Sequence, residues 1–171
     1  MTSVNKYWGK HRGSVVNNID PMSQGRLRAM VPAVSNIALT SWALPCFPVA
    51  GIKNGMFAVP TVGSNVWIEF ENGDPDFPIW TGCFFGGSGD VPSAAKAVPA
   101  AIPQITFQTP LKNSVSINDK PGKKGGIVLK SSTGASLIVS ATGIYIDNGK
   151  GAKIVLEGPS VTINNGALKV T

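Results

Sequence analysis

The sequence predicts an all-β chain: a small closed barrel followed by a stack of short strand repeats. Three observations carry that expectation. Helix signals are nearly absent, because Gly (20 residues) and Pro (13) interrupt the stretches in which apolar residues fall at i, i+3, i+4 and i+7. Residues 1–86 alternate β-branched or aromatic residues with polar ones between turn residues. Beyond residue 105, three-residue cores recur. They are Val115-Ser116-Ile117, Ile127-Val128-Leu129, Leu137-Ile138-Val139, Ile144-Tyr145-Ile146, Ile154-Val155-Leu156, Val161-Thr162-Ile163 and Leu168-Lys169-Val170, and their first residues lie 12, 10, 7, 10, 7 and 7 positions apart.

In the first part the alternation marks five strands, at about residues 7–17, 25–34, 55–60, 65–71 and 77–85. The clearest is 65–71, where Val66, Ile68 and Phe70 share one face and Trp67 and Glu69 the other. It leads through Asn72-Gly73-Asp74-Pro75 into Phe77-Pro78-Ile79-Trp80, as a hairpin does. Five short strands in fewer than 90 residues suit a small closed barrel.

The character changes at Gly86-Gly87-Ser88-Gly89-Asp90, and Pro92, Pro99 and Pro103 then favour an extended path over helix. The expected organisation is therefore a barrel at 1–86, a linker or neck at 87–105 and repeats at 106–171. Nearly every repeat core is followed by Gly, Asn or Asp, as in Asp147-Asn148-Gly149 and Asn164-Asn165-Gly166. A unit this short buries no apolar face alone and must stack on neighbours. Glycine corners and β-branched cores argue against reading the seven-residue spacing as a coiled coil. A single-chain β-helix needs about twenty residues per turn, which leaves only about three turns here. Narrow strands with two inward residues suit instead a prism closed by several chains, each supplying one wall, most simply a homotrimer. Its expected core is Val115, Ile117, Ile127, Leu129, Ile144, Ile146, Ile154, Leu156, Val161 and Ile163.

Composition excludes several chemistries. His11 is the single histidine, so His-based triads and multi-His zinc sites are ruled out by count. Cys46 and Cys83 have no metal-ligand spacing, and each sits beside aromatics, where a free Cys is expected to be a small buried hydrophobe. Glu69, Glu71, Asp74 and Asp76 are the one carboxylate cluster, but a hairpin tip offers no cleft for acid–base work. No catalytic residue, metal or cofactor is expected. Trp8, Trp42, Trp67 and Trp80 read as barrel core plus contact with a neighbouring subunit rather than a stacking platform. The net charge of +6 is uneven: residues 1–90 carry six Lys or Arg against six acids, whereas 91–171 carry nine Lys against three. A barrel without excess positive charge lacks the term that dominates nucleic-acid binding. The basic residues of the repeats keep strand edges from pairing, or attract an anionic cell surface. Val128, Ile138 and Val155 break the polar alternation of the outward positions. No apolar run follows Lys6, Lys10 and Arg12, so a chain made in the cytoplasm without a secretory signal is expected.

A longer run of residues carries a resemblance. Gly13-Ser14-Val15-Val16, Asp20-Pro21, Gly25-Arg26-Leu27-Arg28 and Val31-Pro32 are followed by Ser41-Trp42-Ala43-Leu44-Pro45-Cys46 and Pro60-Thr61-Val62-Gly63. The run ends with Val66-Trp67-Ile68-Glu69-Phe70-Glu71, Gly73-Asp74-Pro75-Asp76 and Pro78-Ile79-Trp80-Thr81-Gly82. In this order and spacing, residues 8–86 resemble the OB-fold domain of contractile-injection spike proteins: phage baseplate spikes, R-type pyocin relatives and the VgrG proteins of type VI secretion. Residues 105–171 resemble, by style of repeat, that family's intertwined trimeric β-helix needle. The resemblance implies a structural, non-enzymatic homotrimer in the tail baseplate of a virion or injection particle. It would pierce the target cell envelope and join the hub to the tip. It also implies a separate hub ring at the barrel end, since about a dozen residues precede the barrel, and a PAAR-type cap at the C-terminal end. The alternative is a non-enzymatic OB module that binds carbohydrate or single-stranded nucleic acid.

Overall fold

The computed structural model describes residues 5–35 and 38–170. Apart from one helical turn and three 3-10 turns, its regular elements are strands. They fall into two compact units, Met1–Ser88 and Gly89–Thr171.

The first unit is built on β1 (His11–Asn17), β2 (Arg28–Met30), β3 (Leu44–Pro45), β6 (Asn65–Phe70) and β7 (Pro78–Phe84), in the order β2-β1-β6-β7-β3. A small hairpin of β4 (Ala50–Gly51) and β5 (Asn54–Gly55) stands apart from that sheet. β3 runs parallel to β7, with Leu44 opposite Ile79. The chain just before β3 bridges back to the other edge, Leu27 to Ala43 and Met30 to Leu39. The N–H of Ala43 donates to the Leu27 carbonyl at 2.8 Å, and that of Leu27 to the Ala43 carbonyl at 3.2 Å. These bonds close the curl. A bulge at Thr81–Gly82, where the register slips between Trp67–Gly82 and Ile68–Trp80, supplies the bend that closure needs.

β6 alternates as expected, with Val66, Ile68 and Phe70 buried. They pack with Val15, Leu27, Ala29, Val31, Ala43 and Trp80 into one core. The Asn72-Gly73 turn also forms, Asn72 at φ +50 and Gly73 at φ +71.

Two expectations give way. Residues 56–60 form no strand. Phe57 leans on Phe47 at 5.7 Å instead, and Pro60 has no N–H for a ladder. Both cysteines are exposed. Of the four tryptophans only Trp80 is buried, while Trp8 is 69% exposed.

The second unit opens with the turn α1 (Ser93–Lys96), where an extended path was expected. The sequence supports helix only weakly there, so distant residues decide. The Gln108 side-chain oxygen accepts from the Ala94 N–H at 2.9 Å and the Ser93 hydroxyl at 3.1 Å, while the Gln104 amide donates to the Ala95 carbonyl at 2.9 Å. Val98 is buried just beyond the turn. Then come β8 (Gln104–Gln108), β9 (Ser114–Asn118), β10 (Gly126–Lys130), β11 (Ser136–Ser140), β12 (Gly143–Asp147), β13 (Lys153–Glu157), β14 (Ser160–Ile163) and β15 (Leu168–Val170). They form one antiparallel meander in chain order without a crossover. Eight strands at ~4.8 Å spacing extend about 34 Å across the ladder.

Candidate functional site

The pairing of the meander decides what each face presents. In one row Ile105 lies opposite Ile117, Ile117 opposite Ile127, and Ile127 opposite Val139. The row runs on through Ile144, Leu156 and Val161 to Val170. In the second row Phe107 faces Val115, Val115 faces Leu129, and Leu129 faces Leu137. It continues through Ile146, Ile154 and Ile163 to Leu168. Because side chains alternate between faces, both rows project to the same side. They make two unbroken apolar ladders without a polar residue between them.

This face is open in the single chain: Ile105 is 59% exposed, Ile117 48% and Ile127 46%. The usual polarity is inverted in β9, where Ser116 and Asn118 are buried and Val115 and Ile117 exposed. Soluble chains rarely leave so long an apolar strip uncovered. Exposed rows of this length are an interaction surface.

All ten residues expected to form a core between chains lie in these two rows. The sequence reading missed Ile105, Phe107, Leu137, Val139, Leu168 and Val170, which complete them. The Gln-Ile-Thr-Phe-Gln alternation of β8 could have revealed the first two. In Leu137-Ile138-Val139 both faces are apolar, so the alternation is hidden. Val128, Ile138 and Val155 lie on the opposite face, where Tyr145 joins Ile138 to Val155.

Glycine is required at two strand starts. A Cβ on Gly126, at φ +81, would collide with the Val139 carbonyl oxygen, and one on Gly143, at φ +152, with that of Leu156. These positions let adjacent strands approach closely enough to keep both ladders in register.

The barrel carries one buried ionic knot. Asp20 accepts from Arg26 Nη2 at 2.7 Å and Nε at 3.0 Å, and from the backbone N–H groups of Met22, Gln24 and Arg26. The Arg26 bond does most to hold the Asp20 carboxyl far below its ordinary value of 3.8; burial opposes it and the N–H groups add to it. Arg26 also lies over the Trp42 ring at 5.5 Å. The knot fixes the loop that leads into β2.

The carboxylate cluster divides. Glu69 pairs with Lys10 at 2.7 Å, Asp74 with Lys6 at 3.7 Å, and Asp74 Oδ1 accepts the Asp76 N–H in the turn. Arg12 lies against Trp67 and Phe84, 5.7 and 5.4 Å from the ring centroids. Among the described residues no group of three or more His, Cys, Asp or Glu is placed to hold a metal ion.

A closed five-strand barrel and a sheet with one open apolar face define an all-β protein with an exposed surface for assembly. Comparison with known proteins identifies which kind. Residues 11–85 match the family model of the type VI secretion system/phage-baseplate injector OB domain. Residues 104–169 match that of the phage baseplate V C-terminal trimerisation domain. The chain belongs to this family of injector and baseplate spike proteins. It is similar to the type VI secretion system spike protein VgrG3 of Vibrio cholerae serotype O1, 30% identical over 113 residues, covering 58% of this chain and 10% of the relative. It is also similar to the actin cross-linking toxin VgrG1 of Vibrio cholerae serotype O1, 33% identical over 84 residues, covering 44% of this chain and 7% of the relative. The chain thus spans about a tenth or less of the length of these relatives. The matched regions are an injector OB domain and a trimerisation domain, which support a structural role, a place in a tail or injector assembly and a homotrimer.

Proposed function

We propose that the chain is the central spike at the tip of a contractile tail or injection apparatus, acting by mechanical force without catalysis. Three copies each supply their eight-strand sheet as one wall of a triangular prism. The walls twist about one another as sheets do, and their apolar rows meet along the axis. The observation that carries this reading is the pair of unbroken ladders exposed on one face. Three such faces cover one another, whereas a single chain leaves them in water.

The mechanism follows from the direction of the hydrogen bonds. Strands lie across the shaft, so their ladders run along it. Axial load is then borne by stacked backbone bonds, and breaking one exposes paired groups buried between neighbours. A shaft about 34 Å long with a dry apolar axis resists buckling and concentrates the contraction force on the target envelope. Three barrels form the ring that joins a separate hub, and a PAAR-type cap closes the far end. Assembly takes place in the bacterial cytoplasm, onto a phage tail or a related particle.

Sedimentation of the full chain and deletion of residues 106–171 test the reading. The full chain is expected to sediment as a trimer. The deletion is expected to yield monomeric barrels and particles that neither infect nor kill. Glu69→Gln and Asp74→Asn are expected to leave particle function intact. Working particles built with the deleted chain would overturn it.

A further inference from the structure

The sheet's other face carries a second feature. Between α1 and the strands β8–β11 lies a groove of about 480 Å3, within the range of small-molecule sites. Its floor is apolar: Val128 and Ile138 stand opposite one another on adjacent strands, and Ala94, Ala97 and Val98 form the roof. Its rim is cationic and hydroxylic. Ser114 faces Lys130, and Lys130 faces Ser136, in one row across three strands. Lys112, Lys124 and Ser132 also line it, with Ser93, Gln108, Ser116 and Ser131, whose side chains are hydrogen-bonded within the chain, and the lining contains no carboxylate.

Three lysines and three serines of the lining are uncommitted. Among the described residues, Lys112, Lys124 and Lys130 form no ion pair, although Lys123 holds Glu157 at 3.1 Å and Lys153 holds Asp147 at 3.2 Å on the same sheet. The hydroxyls of Ser114, Ser132 and Ser136 likewise have no protein partner among the described residues. Lys112 and Lys130 stand at one end of the groove, at the Ser114 end of β9, and Lys124 at the other, in the β9–β10 connection, and the lining offers them no counter-charge until an anion enters. The apolar floor gains in addition from a hydrocarbon body.

We propose that this groove binds an anionic amphiphile, a phosphate head group held by Lys112, Lys130 and the neighbouring serines, with its hydrocarbon part on Val98, Val128 and Ile138. The inference rests on the trimer reading in one respect: turning the apolar ladders inward leaves the groove on the outside of the shaft.

Calorimetric titration of the full chain with dodecyl phosphate, below its micelle concentration, tests the proposal. One site per chain is expected. The double variant Lys112→Gln/Lys130→Gln is expected to weaken binding roughly tenfold or more, through loss of charge-assisted hydrogen bonds. The control Lys53→Gln/Lys150→Gln removes the same charge elsewhere and is expected to bind as the parent does. Equal weakening in both variants would reduce the effect to general electrostatics and overturn the site. Equally tight binding of inorganic phosphate would overturn the role of the floor, and of dodecyl maltoside the role of the lysines. Circular dichroism and sedimentation of each variant keep the test independent of folding and assembly. A trimer that binds no dodecyl phosphate sinks this proposal alone, and a monomer that binds it sinks only the trimer reading.

Discussion

Replacing Ile127 by Asp separates an exposed surface residue from one at the centre of an assembly. Ile127 is 46% exposed in the single chain, which for a side chain of this size leaves about 80 Å2 open to water, or about 2 kcal/mol of apolar burial still available. Three copies meeting on one axis would gain ~6 kcal/mol from this layer, about four decades in the trimer association constant. Ile127→Asp forfeits that and forces three carboxyls into an apolar axis, at several kcal/mol for each charge. In a chain that works alone, the same change at a half-open position costs little. The expected result is monomer at neutral pH by sedimentation velocity, with the barrel still folded. The pH sign is fixed as well: burial and like charges raise the carboxyl pKa in the trimer above that in the free chain. Trimer is therefore favoured at low pH and lost as pH rises through the raised value. Ile127→Val, which keeps the axis apolar, is expected to cost only ~1 kcal/mol and remain trimeric. An Asp variant as trimeric as the parent at pH 8 would refute the assignment of this face to the axis.

Further outcomes follow from the barrel and the strand corners. Trp80→Ala removes a core side chain that is 5% exposed and donates through Nε1 to the Gly25 carbonyl at 3.1 Å, so calorimetry should show the barrel transition weakened by about 3–5 kcal/mol. Trp80→Phe, which chiefly loses that bond, should cost about 1–3 kcal/mol. The Asp20 carboxyl, depressed by Arg26, stabilises the barrel fully above its ordinary value of 3.8 and progressively less as pH falls towards the depressed folded value. Asp20→Asn should lower the barrel's melting temperature at neutral pH and flatten its acid dependence when melting is followed down to about pH 2. Gly126→Ala should break the β10–β11 approach, because its Cβ meets the Val139 carbonyl oxygen, and deplete trimer on native gels.

What the sequence made legible was whatever local alternation encodes. β6 could be read to the residue because Val66, Ile68 and Phe70 face a core while Trp67 and Glu69 do not. The ten expected core residues share one face because they fall at alternate positions of their strands and the pairing keeps the rows in register. Tertiary choices were not legible. Residues 55–60 have strand composition, yet the Phe47–Phe57 contact draws that segment away from the sheet. The turn at Ser93–Lys96 depends on Gln108, fourteen residues beyond Ala94. The Asp20–Arg26 knot lies inside a motif that was visible as a string, but its carboxylate depends on N–H directions that only the folded loop sets. The amphiphile groove was least visible of all, since its lysines and serines come from separate strands and turns.

The charge distribution gives the assembly its physical logic. The apolar rows contain no lysine, and Lys130 and Lys153 take their strand positions on the opposite face, alternating with Val128 and Val155. Closing three sheets along those rows therefore desolvates no ammonium group, so apolar burial meets no charge penalty at the axis. The same lysines then lie outside, where like charge on every shaft opposes contact between assembled particles. An isolated sheet with an open apolar face is an aggregation hazard, and the cations on its reverse side do little to cover it. In the proposed spike, folding of the repeats is thus productive only when it is coupled to trimer closure. The barrel, whose core is complete within one chain, can fold first and independently of the repeats.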